Sequence, residues 1–477
     1  MATVLGANTL SSGSYEVNNS VRFNSADSAD LRISDYSGAG TSRRIRTYSM
    51  WIKRSELSYA VIFGSAGKDH WVFNANNTIQ FNIGSGTDSR RVTTRLFTDV
   101  TAWYHLVFAY DTTQGTAANR FTLWVNGVET STAIVSGKNE VQQNEDALVF
   151  INNDTHTIGS DEDGASYFDG YMAEWVFVDG QKLDADSFGE FDEDSGIWKP
   201  IDVSEITLGT NGFYLDFQTA SDLGIDAGND NDFEPTNLAA TDQSTDTCTN
   251  NFNTFNPLQN FYAGGAFSEG NLKYVTVSDK HDFAVSTIGM SSGSGKFYAE
   301  FKIHQDTDYS IVGISDHSYR GSNQELSEDN YSYGYYQYLS AGSGAVRANG
   351  SDVITSMPNF TTNDIIGVAV DLDNHKLYFS KNGTFINSAD PTSGSTGTGA
   401  ASIQDLSSVS TSYGQGVYFF AAGLWNTSAA GTYSANFGSA PYAISSGNQD
   451  SNGFGNFEFA VPSGYFALCT KNLAEHG

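Results

Sequence analysis

Short apolar alternations, broken by polar turns at roughly 8–12-residue spacing, constrain this chain more than any other feature. They begin with "TYSMWIKR" (47–54), "AVIFGSA" (60–66), "HWVFNANNTIQFNI" (70–83), "WYHLVFAY" (103–110) and "RFTLWV" (120–125). "FDGYMAEWVFV" (168–178) and "GFYLDF" (212–217) continue the series. Asn-Gly, Asp-Gly and Ser-Gly separate the runs, and helical periodicity is nearly absent. Alternation puts successive side chains on opposite faces, so each run offers one face to a core and one to another layer. The pattern predicts antiparallel sandwiches, with one helical turn at most, in "DADSFGEF" (184–191).

Two stretches far apart write the same hairpin. "LVFAYDTTQGTAANRFTLWVNG" (106–127) and "GVAVDLDNHKLYFSKNG" (367–383) each run into an Asp (Asp111, Asp371) and a polar turn. Each then enters a second strand that closes on Asn-Gly (Asn126-Gly127, Asn382-Gly383). Asn-Gly accepts positive φ at both central positions, the requirement of a type I′ turn. Alternation assigns Phe121, Leu123 and Val125 to one face, and Val368, Val370 and Leu372 to another. Asp371, Asp373 and Asn382 read as turn-makers rather than ligands.

At 477 residues the chain exceeds one ordinary core and fits two large β-domains. A second strand series supplies the other one: "GKFYAEFKI" (295–303), "YSIVGIS" (309–315), "YSYGYYQYL" (331–339), "DIIGVAVDLD" (364–373), "KLYFS" (376–380), "GVYFFAAGL" (416–424) and "SANFG" (434–438). "NFEFAV" (456–461) and "YFALCT" (465–470) are expected as a closing strand pair, and 390–416 as a long Gly/Ser/Thr loop. Residues 221–254 are polar and strand-poor, which reads as a linker or long connecting loop. The expected plan is an N-terminal arm (1–18), a first sandwich (19–220), the linker (221–254) and a second sandwich (255–477).

The balance of 55 acidic against 24 basic residues gives a net charge of −31. That sign argues against nucleic-acid and anionic-membrane partners, which need clustered Lys and Arg. No stretch approaches the ~20 apolar residues of a spanning helix. The start lacks the basic and apolar regions of a signal peptide. Two cysteines, Cys248 and Cys469, are too few for the disulfide framework of small secreted domains, and whether they pair is open.

"SVRFNSADSADLRIS" (20–34), "YSMWIKRS" (48–55), "WYHLVFAYD…FTLWVNGVE" (103–129) and "YFDGYMAEWVFVDGQKLD" (167–184) resemble, in that order, the laminin-G-like, concanavalin A-type jelly rolls. "GKFYAEFKI", "YSIVGIS", "IIGVAVDLDNHKLYFSKNGTFI" (365–386) and "VYFFAAGLWNTSAAGTYSANFGSAPYA" (417–443) resemble a SPRY domain, also a concanavalin-like sandwich. The pairing, with connecting text such as "GIDAGNDNDFEPTNL" and "NNFNTFNPL", is similar to bacteriophage virion structural proteins. That resemblance implies a non-enzymatic tail-fibre, spike or capsid-fibre protein in the virion, adhering to host surface glycan or protein. It implies other virion proteins as partners and a homo-oligomer, trimeric by analogy. Laminin-G-like modules usually work outside cells; folding in a bacterial cytoplasm and leaving on a particle reconciles that with the absent disulfides. The alternatives are a purely structural decoration protein and a polysaccharide-degrading enzyme.

Glycosidases on such sheets place carboxylates on alternate residues of one strand, facing one cleft. The nearest match is Glu190, Asp192 and Asp194 in "GEFDEDSG", which lacks apolar strand context and reads as a solvated loop. The eight histidines show no zinc spacing, and His105 reads as a core or cross-strand residue. Calcium needs several close oxygen ligands. Asp226, Asn229, Asp230, Asp232 and Glu234 offer one such set, and Asp161, Glu162 and Asp163 another, against the alternative of acidic turns. For ligand binding, Tyr331, Tyr333, Tyr335, Tyr336 and Tyr338 crowd one strand, with Trp425 and Asn426 in "GLWNTS". Rigid, amphipathic phenols suit recognition. Period two divides them 331/333/335 against 336/338, and one set must face a core.

Overall fold

The computed structural model describes residues 15–34, 40–65, 69–84, 88–147, 149, 154–259, 264–305, 307–316, 325–408, 416–425 and 428–477. They form two compact units that meet in sequence at Asn251 and Phe252. Each is built from two facing antiparallel sheets, as the alternation predicts.

In the first unit one sheet runs Val128–Glu129, Phe121–Val125, Tyr104–Asp111, Ile45–Arg54, Gly170–Asp179, Ser20–Phe23 and Gln243–Ser244. The facing sheet runs from Thr132–Ile134 to Glu234–Thr236, with Ala60–Ser65 and His70–Phe73 near its middle. Large aromatics fill the space between them. Trp71 lies parallel to Trp175 with centroids 6.1 Å apart, and Tyr48 stacks on Phe108 at 4.7 Å. Phe121, Leu123 and Val125 point into this core, whereas Trp124 turns to the outer face.

The second unit repeats the plan. One sheet is centred on Lys296–Gln305, Ile365–Asp371 and Lys376–Lys381; the other runs Asp282–Val285, Val417–Leu424, Ser310–Asp316, Ser332–Tyr336, Gly344–Ala348 and Ser351–Met357. The two hairpins occupy corresponding places. A ten-residue strand pairs with the first hairpin strand in each unit, Ile45 opposite Asp111 and Lys296 opposite Asp371. Both Asn-Gly turns have positive φ throughout (51° and 74°; 49° and 78°). Both asparagines also reach back to the start of the preceding strand: Asn126 Oδ1 accepts from the His105 amide at 2.7 Å, and Asn382 Oδ1 from the Ile365 amide at 2.9 Å. Asp371 accepts from the Asn374 amide and pairs with Lys296 at 2.8 Å, and Asp373 accepts from the Gly295 amide. These are the turn roles read from sequence.

The expected linker is corrected. Leu223 and Phe233 are buried in the first core, Glu234–Thr236 pairs with Asp30–Ile33, and Gln243–Ser244 pairs with Ser20–Phe23. Residues 221–251 therefore complete the first sandwich. Of the N-terminal arm, 1–14 lie outside the described residues, and Tyr15 and Val17 pack on the outer face of the first sandwich. The closing strand pair is also corrected. Phe466–Ala467 pairs in parallel with Lys296–Gln305, Phe457 and Cys469 make single antiparallel bridges to Asn448 and Phe252 rather than to each other's segments, and the helix Thr470–His476 follows. Phe457 is buried without belonging to a strand. Both cysteines are buried free thiols.

A β-bulge interrupts Gly170–Asp179 between Ala173 and Val176, and Glu174 there takes φ of 49°, a strained value for a long side chain. Its buried carboxyl meets two phenols: Tyr214 Oη lies 3.0 Å from Oε1 and 2.8 Å from Oε2, Tyr15 Oη 2.9 Å from Oε2, and the phenols are 3.2 Å apart. Three groups in mutual contact need three protons to close a ring of hydrogen bonds. An ionised Glu174 leaves two, one per phenol; a protonated one closes the ring. Burial pushes this carboxyl up to about 7. A folded value above the unfolded one means that the stabilisation is complete below pH ~4.5 and is lost as pH rises through 7. Glu174→Gln mimics the protonated ring, so it should match the parent near pH 5 and exceed it by up to about 3 kcal/mol at pH 8. Urea unfolding of both proteins at the two pH values checks this.

Candidate ligand-binding site

The five tyrosines divide as period two requires, and the structure decides which set is core. Ser332–Tyr336 lies between Ser310–Asp316 and Gly344–Ala348. Tyr333 and Tyr335 point into the second core, and half-buried Tyr331 packs against it. Their hydroxyls are spent locally: Tyr333 donates to the Asn330 carbonyl at 3.0 Å, and Tyr335 donates to the Pro358 carbonyl. These three are corrected from ligand candidates to framework. They cannot leave the core without opening it.

Tyr336 and Tyr338 point the other way, into an aromatic group on the outer face of the sheet. Tyr309 stands at its centre, 4.7 Å from Trp425, 5.9 Å from Tyr338 and 5.9 Å from Tyr336, measured between rings. Tyr336 and Tyr338 are 4.7 Å apart, and His281 meets Trp425 edge-on at 5.9 Å. Tyr336 is fully buried, whereas Tyr309, Tyr338 and Trp425 keep part of their rings exposed. Tyr338 lies just beyond its strand, where Asn359 clamps its backbone, accepting from its amide at 3.1 Å and donating to its carbonyl at 2.9 Å. Asn426 lies outside the described residues.

Behind this group sits a buried polar relay. Tyr336 donates to Glu325 at 3.2 Å, and Arg347 Nη1 meets the other Glu325 oxygen at 3.1 Å. The guanidinium also lies over the Tyr336 ring at 5.1 Å and reaches Asp352 at 3.4 Å. Burial pushes Glu325 up to about 7, against the pull of Arg347. Tyr338 and Asp352 together wall a cavity of about 280 Å³, completed by Ser343, Ala345, Thr355 and Ser356. The cavity opens beside Ser351–Met357, the edge strand of the sheet. An aromatic wall, hydroxyls and one carboxylate form a surface that can stack on one ring and read its hydroxyls.

Tyr309, Glu325, Arg347 and Asp352 went unmarked in the sequence reading. They lie on neighbouring strands or loops, and only the pairing register brings them together.

The 226–234 stretch is not the expected cation array. Asp226 Oδ1 accepts the amides of Tyr214 and Gly228, and Oδ2 those of Asn229 and Asn231, at 2.7–3.1 Å. Asp232 accepts from the Asp226 amide at 2.8 Å, and Asn229 donates to the carbonyls of Gly209 and Gly212. Asp230 is an exposed turn residue with φ of 62°, and Glu234 is exposed on its strand. The acidic spacing thus serves Asx-type turns that hold the loop. Asp161 does the same through the Ala165 amide at 2.7 Å. Among the described residues no three His, Cys, Asp or Glu side chains gather as a metal set.

Glu190, Asp192 and Asp194 lie on or beside the hairpin Gly189–Phe191/Trp198–Pro200. Asp192 accepts from the amides of Asp194 and Ser195 and from the Ser195 hydroxyl, and it pairs with Lys199 at 3.2 Å. Those hydrogen bonds hold it down at about 2, so it stays ionised and cannot serve as a general acid. Ser49 Oγ lies 2.8 Å from His105 Nε2, but this pair is not a nucleophile and its base. The Trp198 indole can only donate, and it donates to His105 Nδ1 at 2.9 Å. The single ring proton therefore sits on Nε2 and points at Ser49, while burial holds His105 down at about 3. His105 stacks on Trp51 as a buried structural residue.

Comparison with known proteins places both sandwiches. Residues 23–186 match the concanavalin A-like lectin/glucanases superfamily, and residues 296–390 match the SPRY domain. The chain thus carries a laminin-G-like, concanavalin A-type domain followed by a SPRY domain, both β-sandwich folds. Among solved structures it is similar to the SPRY domain of human HERC1 (16% identity, 38% of this chain and 96% of that one, TM-score 0.28). It is also similar to a heptameric SAP-like pentraxin of Limulus polyphemus (14% identity, 36% and 80%, TM-score 0.27). No curated protein matches it.

Proposed function

We propose that the chain is a non-enzymatic bacteriophage virion protein, a fibre or spike component that adheres to host surface glycans through its SPRY sandwich. The observation that carries the binding reading is the half-exposed Tyr309–Tyr338–Trp425 group, set beside a hydroxyl-lined cavity. The lectin-type family of the first domain supports it. Two buried free thiols in a module type that usually works outside cells fit folding in a reducing cytoplasm before release on a particle. A single small cavity gives weak affinity, and a trimeric fibre displayed in many copies multiplies it.

A glycan array probed with a multivalent form of the chain tests the reading, together with antibody localisation on particles. Tyr338→Ala is expected to lower array signal at least about tenfold, and Tyr338→Leu, which keeps packing against Tyr336 and Tyr309 but offers no aromatic face, is expected to do the same with the melting temperature nearly unchanged. No glycan signal at high valency would sink the adhesin. Particle localisation without glycan signal would instead fit a decoration protein.

A further inference from the structure

The charges around the cavity restrict its ligand further, an argument that rests on the binding reading above. Asp352 is the only carboxylate lining the cavity; the other polar groups there are the Tyr338 phenol, the hydroxyls of Ser343, Thr355 and Ser356, and backbone atoms. Arg347, the cation that meets Asp352, is turned away from the cavity. Arg347 gives Nη1 to Glu325 at 3.1 Å and Nη2 to the Gly350 carbonyl at 2.6 Å, and its plane covers Tyr336. Of the Arg347 nitrogens only Nε approaches Asp352, at 3.4 Å from Oδ1, and the Tyr338 hydroxyl lies 3.5 Å from the same oxygen, which leaves Oδ2; the Arg347 side chain is 15% exposed against 39% for Asp352. The carboxylate therefore keeps acceptor capacity toward the cavity. A ligand carboxylate or sulfate placed here would face Asp352 with no cation among the described residues lining the cavity to bind it, within a chain of net charge −31. An ammonium group would gain a charge-assisted hydrogen bond with Asp352.

We infer that this cavity selects a sugar ring carrying a free ammonium group, a de-N-acetylated hexosamine, over its neutral N-acetylated form, and rejects uronic and sulfated sugars. The ring stacks on Tyr338, its ammonium meets Asp352, and its hydroxyls reach the Ser and Thr side chains.

Isothermal titration with three trisaccharides at about pH 6 tests this: glucosamine, N-acetylglucosamine and galacturonic acid oligomers. The glucosamine trimer is expected to bind about tenfold tighter than the N-acetylated one, with no detectable galacturonate binding. The gap should shrink at about 0.5 M salt, because Asp352 is partly exposed. Asp352→Asn should erase the gap, because the amide carries no charge to meet the ammonium. Equal binding of the first two trimers, tighter galacturonate binding, or a gap that survives Asp352→Asn overturns the inference. If Tyr338→Ala still abolishes neutral binding in those cases, the glycan reading stands without it. Binding of no saccharide by the intact chain overturns both.

Discussion

Asp246→Ala is expected to lower the stability of the first sandwich by about 3–5 kcal/mol, the largest single effect in this molecule. Lys53 Nζ lies 2.7 Å from Asp246 Oδ2 and 2.7 Å from Asn251 Oδ1, and the Trp103 indole donates to Asp246 Oδ1 at 3.1 Å. Both charged side chains are only 2% exposed. Alanine would leave an ammonium buried against Asn251 and the Tyr171 ring, 5.4 Å away, with no counter-charge. The cost comes from that stranded charge more than from the lost contact. A double change, Lys53→Met with Asp246→Leu, should therefore recover most of the loss. Thermal unfolding followed by tryptophan fluorescence checks both variants, with a drop of roughly 10 °C expected for the single change. If residue 246 lay on a free linker, the single change would leave the melting temperature where it is.

That contrast shows what the sequence can carry and what it cannot. Alternation assigned Phe121, Leu123 and Val125 to one face, as it did Val368, Val370 and Leu372, because strand period is a local property. The two Asn-Gly turns were legible for the same reason. Residues 221–251 were not, because polar residues hold them in place through partners far away in sequence: Lys53 is 193 positions from Asp246. The same composition would write a loose connector. The acidic 226–234 stretch misled in a related way, since a cation loop and a set of Asx turns use the same side chains at the same spacing. In the tyrosine strand, period two gave the division but not the direction. The outer face of that sheet carries its own apolar layer of Phe283, Val285, Ile311 and Leu326, so both sets of rings look like core. Only the register with the strand holding Arg347 and with Ser310–Asp316, which the turn residue Tyr309 precedes, marks Tyr338 as part of a site.

Glu300→Gln is expected to fall about 1–3 kcal/mol short of the gain expected for Glu174→Gln at pH 8. Burial pushes both carboxyls up to about 7. Their partners differ in kind. Glu174 faces two phenols, each able to donate or accept. Glu300 faces four donors: the Phe459 amide at 2.8 Å and Tyr298 hydroxyl at 3.2 Å on Oε1, and the Glu458 amide at 3.0 Å and Asn436 side chain at 3.2 Å on Oε2. A glutamine must turn its NH₂ toward one of these pairs. The Tyr298 hydroxyl can rotate to accept, but the Phe459 amide cannot, and it is left facing another donor. The alternative orientation strands the Glu458 amide and opposes Asn436, which cannot flip cheaply because it also accepts from Gly438 and donates to the Asn456 carbonyl. One buried amide goes unpaired either way, at about 1–3 kcal/mol, and a charge-assisted bond is lost with it. Urea unfolding of the two variants at pH 8 gives the comparison directly. Equal shifts would show that burial alone governs both sites and that the kind of partner has no energetic weight.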